Sequence, residues 1–487
     1  VDTSADSLVD SAQLNSAQLD SARFDLSGPR RIHVVGVGGP GMSAIAIVLA
    51  QMGHQVSGSD IRERPVLDRL RAAGVEVHIG HSRSHVIGCD ALTSSSAIPA
   101  SNNECDEARR RGIPVLTRAG ILAAICGAAR SVAVAGTHGK TTTTSMVMLI
   151  MANAGREPSF VIGGDVTDTG TGAQWTGGEW LVVEADESDG THLQLPLYAT
   201  ILTNIERDHL DHFGSFDALV ESFDRYVAAI PGPRVVCGDD PVIRSLSSFP
   251  AAISYGLSEG CDYRAVDLTA HEGSWRFTIE HQGQKLVEVH LPLRGVHNVV
   301  NATGAAALTH AIGVEPEQIA DALSRFGGVA RRFDIRGTLN GATLVDDYAH
   351  LPGEIAAVLA AARHSGDGWK RVVAVFQPNR FHRIAEMWRD YARCFSEADL
   401  VVLTDVYASG TMPIPGVTGK LIVNAVCEAD PASRVIWMPH REDLIRYLSH
   451  ELRPGDVCIS MGCGDIAALP DELLQRHAPS TIGAPSS

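Results

Sequence analysis

The sequence is short of lysine, of closely spaced cysteines and of long apolar runs, and each shortage narrows what the chain can be. Lysine occurs at only four positions, Lys140, Lys285, Lys370 and Lys420, and arginine does most of the cationic work. The formal charge is −17, which argues against nucleic acid as the main partner. The nine cysteines are scattered, with Cys458 and Cys463 the closest pair and no CxxC. The expectation is reduced thiols in the cytoplasm, neither a disulfide framework nor a zinc site. No apolar run approaches the roughly 18 residues of a membrane span, and no signal-peptide pattern opens the sequence. What is present is an apolar fraction of 45% over 487 residues, enough for about three globular domains.

One stretch organises the rest. Val132 to Ala135 reads as a buried parallel strand, a glycine-bounded turn follows, and Ser145 to Ala154 reads as a helix. Such a strand–turn–helix aims the free N–H groups of a helix N-terminus at a bound anion. Gly136 and Gly139 let the backbone approach phosphate oxygens, Lys140 adds a point charge, and the Thr141 hydroxyl is placed to reach Mg²⁺. The spacing departs from GxxxxGK[ST], because Val134 stands where the first glycine belongs. A nucleoside triphosphate site over Gly136, Thr137, His138, Gly139, Lys140, Thr141 and Thr142 is the reading.

Residues 1–29 are polar, with Leu14, Leu19 and Phe24 recurring every five residues, a period that suits neither helix nor strand. A disordered tail is expected there. From Arg31 a buried strand leads into Gly36-x-Gly38-Gly39-Pro40-Gly41 and a helix, and Asp60 follows after a second strand. The pattern matches GxGxxG in context. Alone it suggests a nicotinamide oxidoreductase, although the same geometry serves any diphosphate. Residues 30–129 form the first expected domain.

The second, 130–330, carries two more polar bursts at strand ends. Leu181 to Val183 runs into Glu184, Asp186 and Glu187, and Glu184 or Asp186 could complete a Mg²⁺ site begun by Thr141. Ala199 to Thr203 runs into Asn204-Ile205-Glu206-Arg207-Asp208-His209, where His209 suits a metal or a catalytic role. Three alternating segments in 261–291 predict a small antiparallel sheet. Asn298 and Asn301 share a face of the next helix, where they could cap it or read an adenine edge. The third domain, 331–487, is another doubly wound sheet. Its strands end at Asp346-Asp347-Tyr348-Ala349-His350, at Gln377-Pro378-Asn379-Arg380 with Arg383 just beyond, and at Gly462-Cys463-Gly464-Asp465. Arg380 and Arg383 could hold a carboxylate or make rim salt bridges.

Nine collinear motifs resemble the Mur ligase family: GVGGPGMS (36–43), GTHGKTTTT (136–144), EADESDGT (184–191), TNIERDHLDHF (203–213), HNVVNA (297–302), RRFDIRG (331–337), DDYAHLPGEI (346–355), FQPNRFHR (376–383) and DVYASGTMPIPGVTG (405–419). The resemblance spans about residues 30–470. It implies three α/β domains: a Rossmann-like UDP-binding one, a central ATPase with a mostly parallel sheet, and a C-terminal Rossmann-like one. The implied activity is ATP-dependent ligation of L-alanine to the carboxylate of UDP-N-acetylmuramate, with ATP and Mg²⁺ as cofactors. By the same resemblance Gly38, Gly39, Gly41, Met42, Ser43, Asp60 and Ser95 hold the UDP-sugar. Lys140 grips the outer phosphates, Thr141 and Glu184 bind one Mg²⁺, and His209 binds a second. Asn298 and Asn301 meet adenine, and Arg332 contacts phosphate. Asp347 and Tyr348 belong to the nucleotide and amino-acid sites, and Arg380 and Arg383 take the amino-acid carboxylate. His209, Asp347 and His350 stay unranked as the group that deprotonates the amine.

Later-acting members of the family carry a carbamoylated lysine after the D-H-x-D motif. Residues 204–233 contain no lysine, and Phe223 falls near that place. Three positions depart from the family pattern: His350-Leu351-Pro352-Gly353-Glu354 for H-H-P-T-E, Asn379 for the histidine of Q-P-H-R, and Gly120 for the glutamate of R-A-E. Two of these bear on which amino acid is used. A relative with another acceptor, such as a murein tripeptide, and an idle nucleotide-binding protein are the remaining alternatives.

Overall fold

The computed structural model describes residues 24–95, 97–99 and 101–477. Of the expected tail, residues 1–23 lie outside that range; Leu26 is buried, and Asp25 pairs with Arg30 at 3.3 Å.

Three sheets carry the chain. The first has five parallel strands in the order β3-β2-β1-β4-β5: β1 Arg31–Val35, β2 Gln55–Asp60, β3 Glu76–Ile79, β4 Ala91–Ser94 and β5 Val115–Thr117. Strand order reverses between β1 and β4, which opens a crevice at their carboxyl ends. The second sheet runs β15-β14-β13-β12-β11-β10-β6-β9-β7-β8. Its members are β6 Arg130–Ala135, β7 Ser159–Val166, β8 Thr171–Gln174, β9 Trp180–Glu184, β10 Ala199–Leu202, β11 Arg234–Cys237, β12 Ile253–Gly256, β13 Tyr263–His271, β14 Ser274–His281 and β15 Gln284–Leu291. The third runs β16-β17-β21-β18-β19-β20, with β16 Asp334–Leu339 antiparallel to β17 Ala342–Asp347. Beside them β18 Arg371–Phe376, β19 Leu400–Leu403, β20 Val435–Trp437 and β21 Asp456–Met461 pair in parallel.

The strands that carry the site are Val- and Ala-rich because both of their faces are covered. Val132, Ala133, Val134 and Ala135 of β6 are at most 1% exposed, and Val372–Phe376 of β18 and Leu400–Leu403 of β19 at most 2%. In the third sheet Phe376 stacks on Tyr391, and the two join Phe395 and Ile384 in the core.

The segments expected as a small antiparallel sheet extend the central one, because β13 pairs in parallel with β12. Two-residue turns, Glu272-Gly273 and Gln282-Gly283, all at positive φ, connect β13 to β14 and β14 to β15. Positive φ at both central residues is the type I′ geometry that suits the twist of a hairpin. The β7–β8 hairpin was not legible as strand, since its Gly- and Thr-rich sequence has no apolar alternation.

Packing divides the chain into two compact units. The first holds the described residues through Asp267 with Phe277–His290 and Val300–Gly327, and so contains the first sheet and most of the second. The second holds Leu268–Arg276, Leu291–Val299 and the described residues from Gly328 onward.

Candidate active site

The first glycine loop leaves β1 and enters the helix Pro40–Gln51, with Pro40 in its first turn. Proline suits that position because its missing N–H has no intrahelical partner there. Gly36 and Val37 donate their N–H groups to the Ser59 carbonyl, and Gly38 N–H donates to Asp60 Oδ2 at 2.9 Å. A Cβ on Gly38 would stand 2.6 Å from that same carboxylate oxygen, so no other residue fits. Asp60, 6% exposed, therefore braces the loop. Met42 and Ser43 are buried in the first helical turn, where the Ser43 hydroxyl donates to the Pro40 carbonyl. Ser95, at the tip of β4, lies beside Gly36 across the crevice. Gly39 and Gly41 complete the loop, and the Arg118 guanidinium stands 3.1 Å from where a Gly41 Cβ would be.

The second loop leaves β6 and enters the helix Lys140–Asn153. It is clamped from β10. Asn204 Oδ1 accepts the His138 N–H at 2.8 Å, Asn204 Nδ2 donates to the His138 carbonyl at 3.0 Å, and the Asn204 carbonyl accepts the Thr137 N–H. The Thr203 hydroxyl donates to the His138 carbonyl at 2.6 Å, and Glu206 N–H donates to the Thr137 hydroxyl. Gly136, at φ 121°, passes so close that a Cβ would lie 2.9 Å from the Asn204 carbonyl oxygen. Lys140 Nζ donates to the Gly136 carbonyl at 2.6 Å and to the Glu187 carboxylate at 2.8 Å. Burial works against its charge, but Glu187, Asp186 and Glu184 outweigh burial and raise its pKa. Thr141 and Thr142 are buried behind it.

The acids converge on this lysine. Glu184 ends β9, opposite Val134 of β6, and its Oε1 accepts the Gly163 N–H at 2.7 Å. Glu187 is 2% exposed. Asp186 takes Arg118 Nη2 at 3.2 Å, and Arg118 Nε lies 3.6 Å from Asp189. Arg118 thus links the two glycine loops within one unit. His209 adopts φ 54°, and its Nε2 lies 3.1 Å from Asp208. Asn301 reaches the same loop, its Oδ1 standing 2.9 Å from where a Gly139 Cβ would be. Asn298, on the same helix, Val296–Ala311, donates its amide to the Arg294 carbonyl at 2.7 Å.

Three carboxylates and one ammonium make a poor phosphate site by charge alone. They make a good site for a phosphate that arrives with a hard divalent cation, which takes oxygen ligands such as the Thr141 hydroxyl and Glu184. The residues present fit Mg²⁺.

In the second unit, Asp347 ends β17 with Oδ2 accepting the Phe333 N–H and Oδ1 the Ala349 N–H, both at 2.7 Å. Burial pushes this carboxyl up to about 6, although Arg332 and the two N–H groups pull the other way. The Tyr348 ring lies 4.9 Å from the Arg331 guanidinium and 5.3 Å from that of Arg332. His350 Nδ1 is 3.1 Å from the Tyr348 carbonyl and 3.2 Å from Glu354 Oε2. The same oxygen accepts the His350 and Leu351 N–H groups, capping the helix Pro352–Arg363. Arg332 reaches Glu354 at 3.9 Å.

The two arginines expected to act as a pair differ. Arg383 is buried and donates to Asn379 Oδ1 at 3.0 Å, while Arg380, at φ 61°, has no side-chain ion pair among the described residues. Two departures from the family pattern are in the packing: Leu351 and Asn379 are each 2% exposed.

Sequence reasoning missed the clamp made by Thr203 and Asn204, the lysine partner Glu187 and the bridging Arg118. Thr203, Asn204 and Glu187 lay inside motifs already singled out, and only their partners were invisible.

Among the described residues no helix is long and apolar enough to cross a membrane, and all nine cysteines are free thiols. Residues 31–130 match the Mur ligase family, catalytic domain; 134–309 the Mur ligase middle domain; and 331–464 the Mur ligase, glutamate ligase domain. The chain is 44% identical over 450 residues to a UDP-N-acetylmuramate--L-alanine ligase of Rubrobacter xylanophilus, covering 92% of this chain and 100% of that one. It is similar to the crystal structure of UDP-N-acetylmuramate-alanine ligase MurC from Thermotoga maritima, with a TM-score of 0.77, 27% identity and coverage of 92% and 99%. It shares its fold with a murein peptide ligase of Psychrobacter arcticus, with a TM-score of 0.66, 24% identity and coverage of 92% and 98%. On this evidence, and with all three domain matches in order along its length, the chain belongs to the Mur ligase family.

Proposed function

We propose that the chain joins L-alanine to the carboxylate of UDP-N-acetylmuramate, releasing ADP and phosphate, as a cytoplasmic step in making peptidoglycan precursors. The observation that carries this reading is Arg118, which touches the first glycine loop at Gly41 and the triphosphate-side acids at Asp186. Two anion-binding loops linked by one cation suit a reaction that must bring a carboxylate to a phosphate. The free thiols suit a reducing compartment.

A carboxylate is a poor electrophile toward an amine. Its oxygen therefore attacks the γ-phosphorus of ATP, the bond to the bridging oxygen breaks, and an acyl phosphate and ADP result. The amine nitrogen then attacks the acyl carbon and inorganic phosphate leaves. The first step brings anions together, so its catalysis is positioning and charge neutralisation. Lys140 and the N–H groups opening its helix hold the phosphates, and the Asn204 clamp fixes their aim. Thr141 and Glu184 would hold one Mg²⁺ and His209 another; the ions supply charge neutralisation on phosphate oxygens. Asn301 meets the nucleotide from its helix.

Arg332 is assigned to phosphate and Arg380 to the alanine carboxylate, while Arg383 donates to Asn379. His350 is the preferred base. Its Nδ1 faces the Tyr348 carbonyl and Glu354, which leaves the Nε2 lone pair to accept the amine proton. Asp347 has an oxygen committed to each of two backbone N–H groups and suits orientation better.

The test is ADP formation with ATP, UDP-N-acetylmuramate and L-alanine each omitted in turn, and with glycine, L-serine or a murein tripeptide replacing alanine. ADP release that needs all three and prefers alanine supports the reading. Release that needs no sugar nucleotide, or prefers the tripeptide, overturns it.

A further inference from the structure

The first sheet holds a cluster that the ligase chemistry leaves unused. His78, His81 and His85 follow the spacing H-x-x-H-x-x-x-H. The fold brings them to His33 of β1 and to Glu104, in the first turn of the helix Asn103–Arg110. His33 and Glu104 are both 0% exposed. His33 Nε2, His85 Nδ1 and a Glu104 oxygen all lie within 4.8 Å of one another. His33 Nε2 stands 3.4 Å from Glu104 Oε1, and His85 Nδ1 stands 2.6 Å from it. On the other carboxylate oxygen, His81 Nδ1 approaches to 2.8 Å.

The surroundings hold these groups in a metal-ready form. His33 Nδ1 meets the Ser57 hydroxyl at 2.8 Å. With its proton there, the Nε2 lone pair points at the cluster, and such an outer partner is usual for a ligating histidine. The same Nε2 is buried without a hydrogen-bond partner of its own. Leaving a polar atom so is costly, and a bound cation would offset it. The His85 ring is stacked on His78, with centroids 4.1 Å apart and planes 9° from parallel. Glu104 Oε2 accepts the Ser59 hydroxyl at 2.7 Å, which fixes the carboxylate.

We propose that His33, His85 and Glu104 bind a zinc-class divalent ion, with His81 or a water as the fourth ligand. Ligand atoms around a four-coordinate zinc at about 2.1 Å lie roughly 3.4 Å apart, the separation already present between His33 and Glu104. Imidazole with carboxylate favours zinc, cobalt or nickel over magnesium. Because Ser59 precedes Asp60, the ion would also stiffen the end of β2 that braces the first glycine loop.

The full-length chain, stripped with a chelator and freed of it, is titrated with Zn²⁺ by calorimetry and with Co²⁺ by visible absorption, with Mg²⁺ in excess. One tight equivalent is expected, with the intense bands of four-coordinate Co²⁺. His85→Ala, at a partly exposed position, should weaken that equivalent by at least about 10-fold while the circular dichroism stays native. Glu104→Gln should do the same, and it serves as the second variant if His85→Ala melts early. Binding unchanged in either folded variant overturns the proposal. So does the absence of a tight equivalent in the parent chain, which would leave the imidazoles as simple hydrogen-bond partners of Glu104.

Discussion

Asp186 and Asp347 both lie at the carboxyl ends of buried parallel strands, β9 and β17, yet their protonation is set in opposite directions. Burial raises the pKa of each. At Asp186 the nearby charges of Lys140 and Arg118 win, and the group stays well below the usual carboxylate range. At Asp347 the opposing cation is Arg332, whose own reach extends to Glu354, and the group is carried up to about 6. Beside two full positive charges, the acid Asp186 stays ionised. A strand tip opposed by a single guanidinium and two backbone N–H groups leaves its acid poised near neutrality.

The largest expected effect comes from removing the charge at the centre of the first tip. Lys140→Ala should lower ADP formation by about 10²–10³-fold, the scale of a lost phosphate-stabilising donor, while UDP-N-acetylmuramate binding measured by calorimetry holds. Equal loss of both would dissolve the distinction between the two loops.

Arg118→Ala comes next. It should raise KM for the sugar nucleotide and lower kcat together, for a combined loss of about 10- to 100-fold in kcat/KM, as expected for a hydrogen bond to a charged group. A change in the ATP KM alone would remove Arg118 from its bridging position.

The second tip is tested by titration. Carbon-detected NMR of Asp347 should give a midpoint near 6. The folded chain then holds this proton more tightly than the unfolded one. Its contribution to stability is full below about pH 4 and falls as pH rises through about 6, by up to about 3 kcal/mol. A midpoint below 5 would place the two aspartates in the same class.

The smallest effect separates two neighbouring arginines. Arg380→Ala should raise KM for L-alanine by about 10-fold with the melting temperature unchanged, whereas Arg383→Ala should lower the melting temperature through Asn379. Matching behaviour would restore the view of them as an equivalent pair.

Much of this arrangement was legible because parallel strands announce themselves. Runs such as 132–135, 181–183 and 372–376 are apolar throughout and end in abrupt polarity, so both the strand and the address of the site follow from composition. What stayed hidden was pairing across long stretches of chain. Nothing near His138 says that Asn204, 66 residues later, will hold both its N–H and its carbonyl. Nor does His33 say that Glu104 will lie against it. The scarcity of closely spaced cysteines bears only on thiolate sites; the H-x-x-H-x-x-x-H spacing is the sequence feature that bears on an imidazole one. Arg380 and Arg383 looked equivalent because spacing cannot tell a buried guanidinium from an available one.

Phe223, a wholly enclosed residue of the helix Phe216–Ala229, has its ring centroid 5.2 Å from that of His192, near the place where the family resemblance puts a modified lysine in later-acting members. A benzyl side chain cannot be carboxylated. An enzyme so constructed has no need to capture dissolved carbon dioxide before turnover, and degassed buffer should serve it as well as bicarbonate.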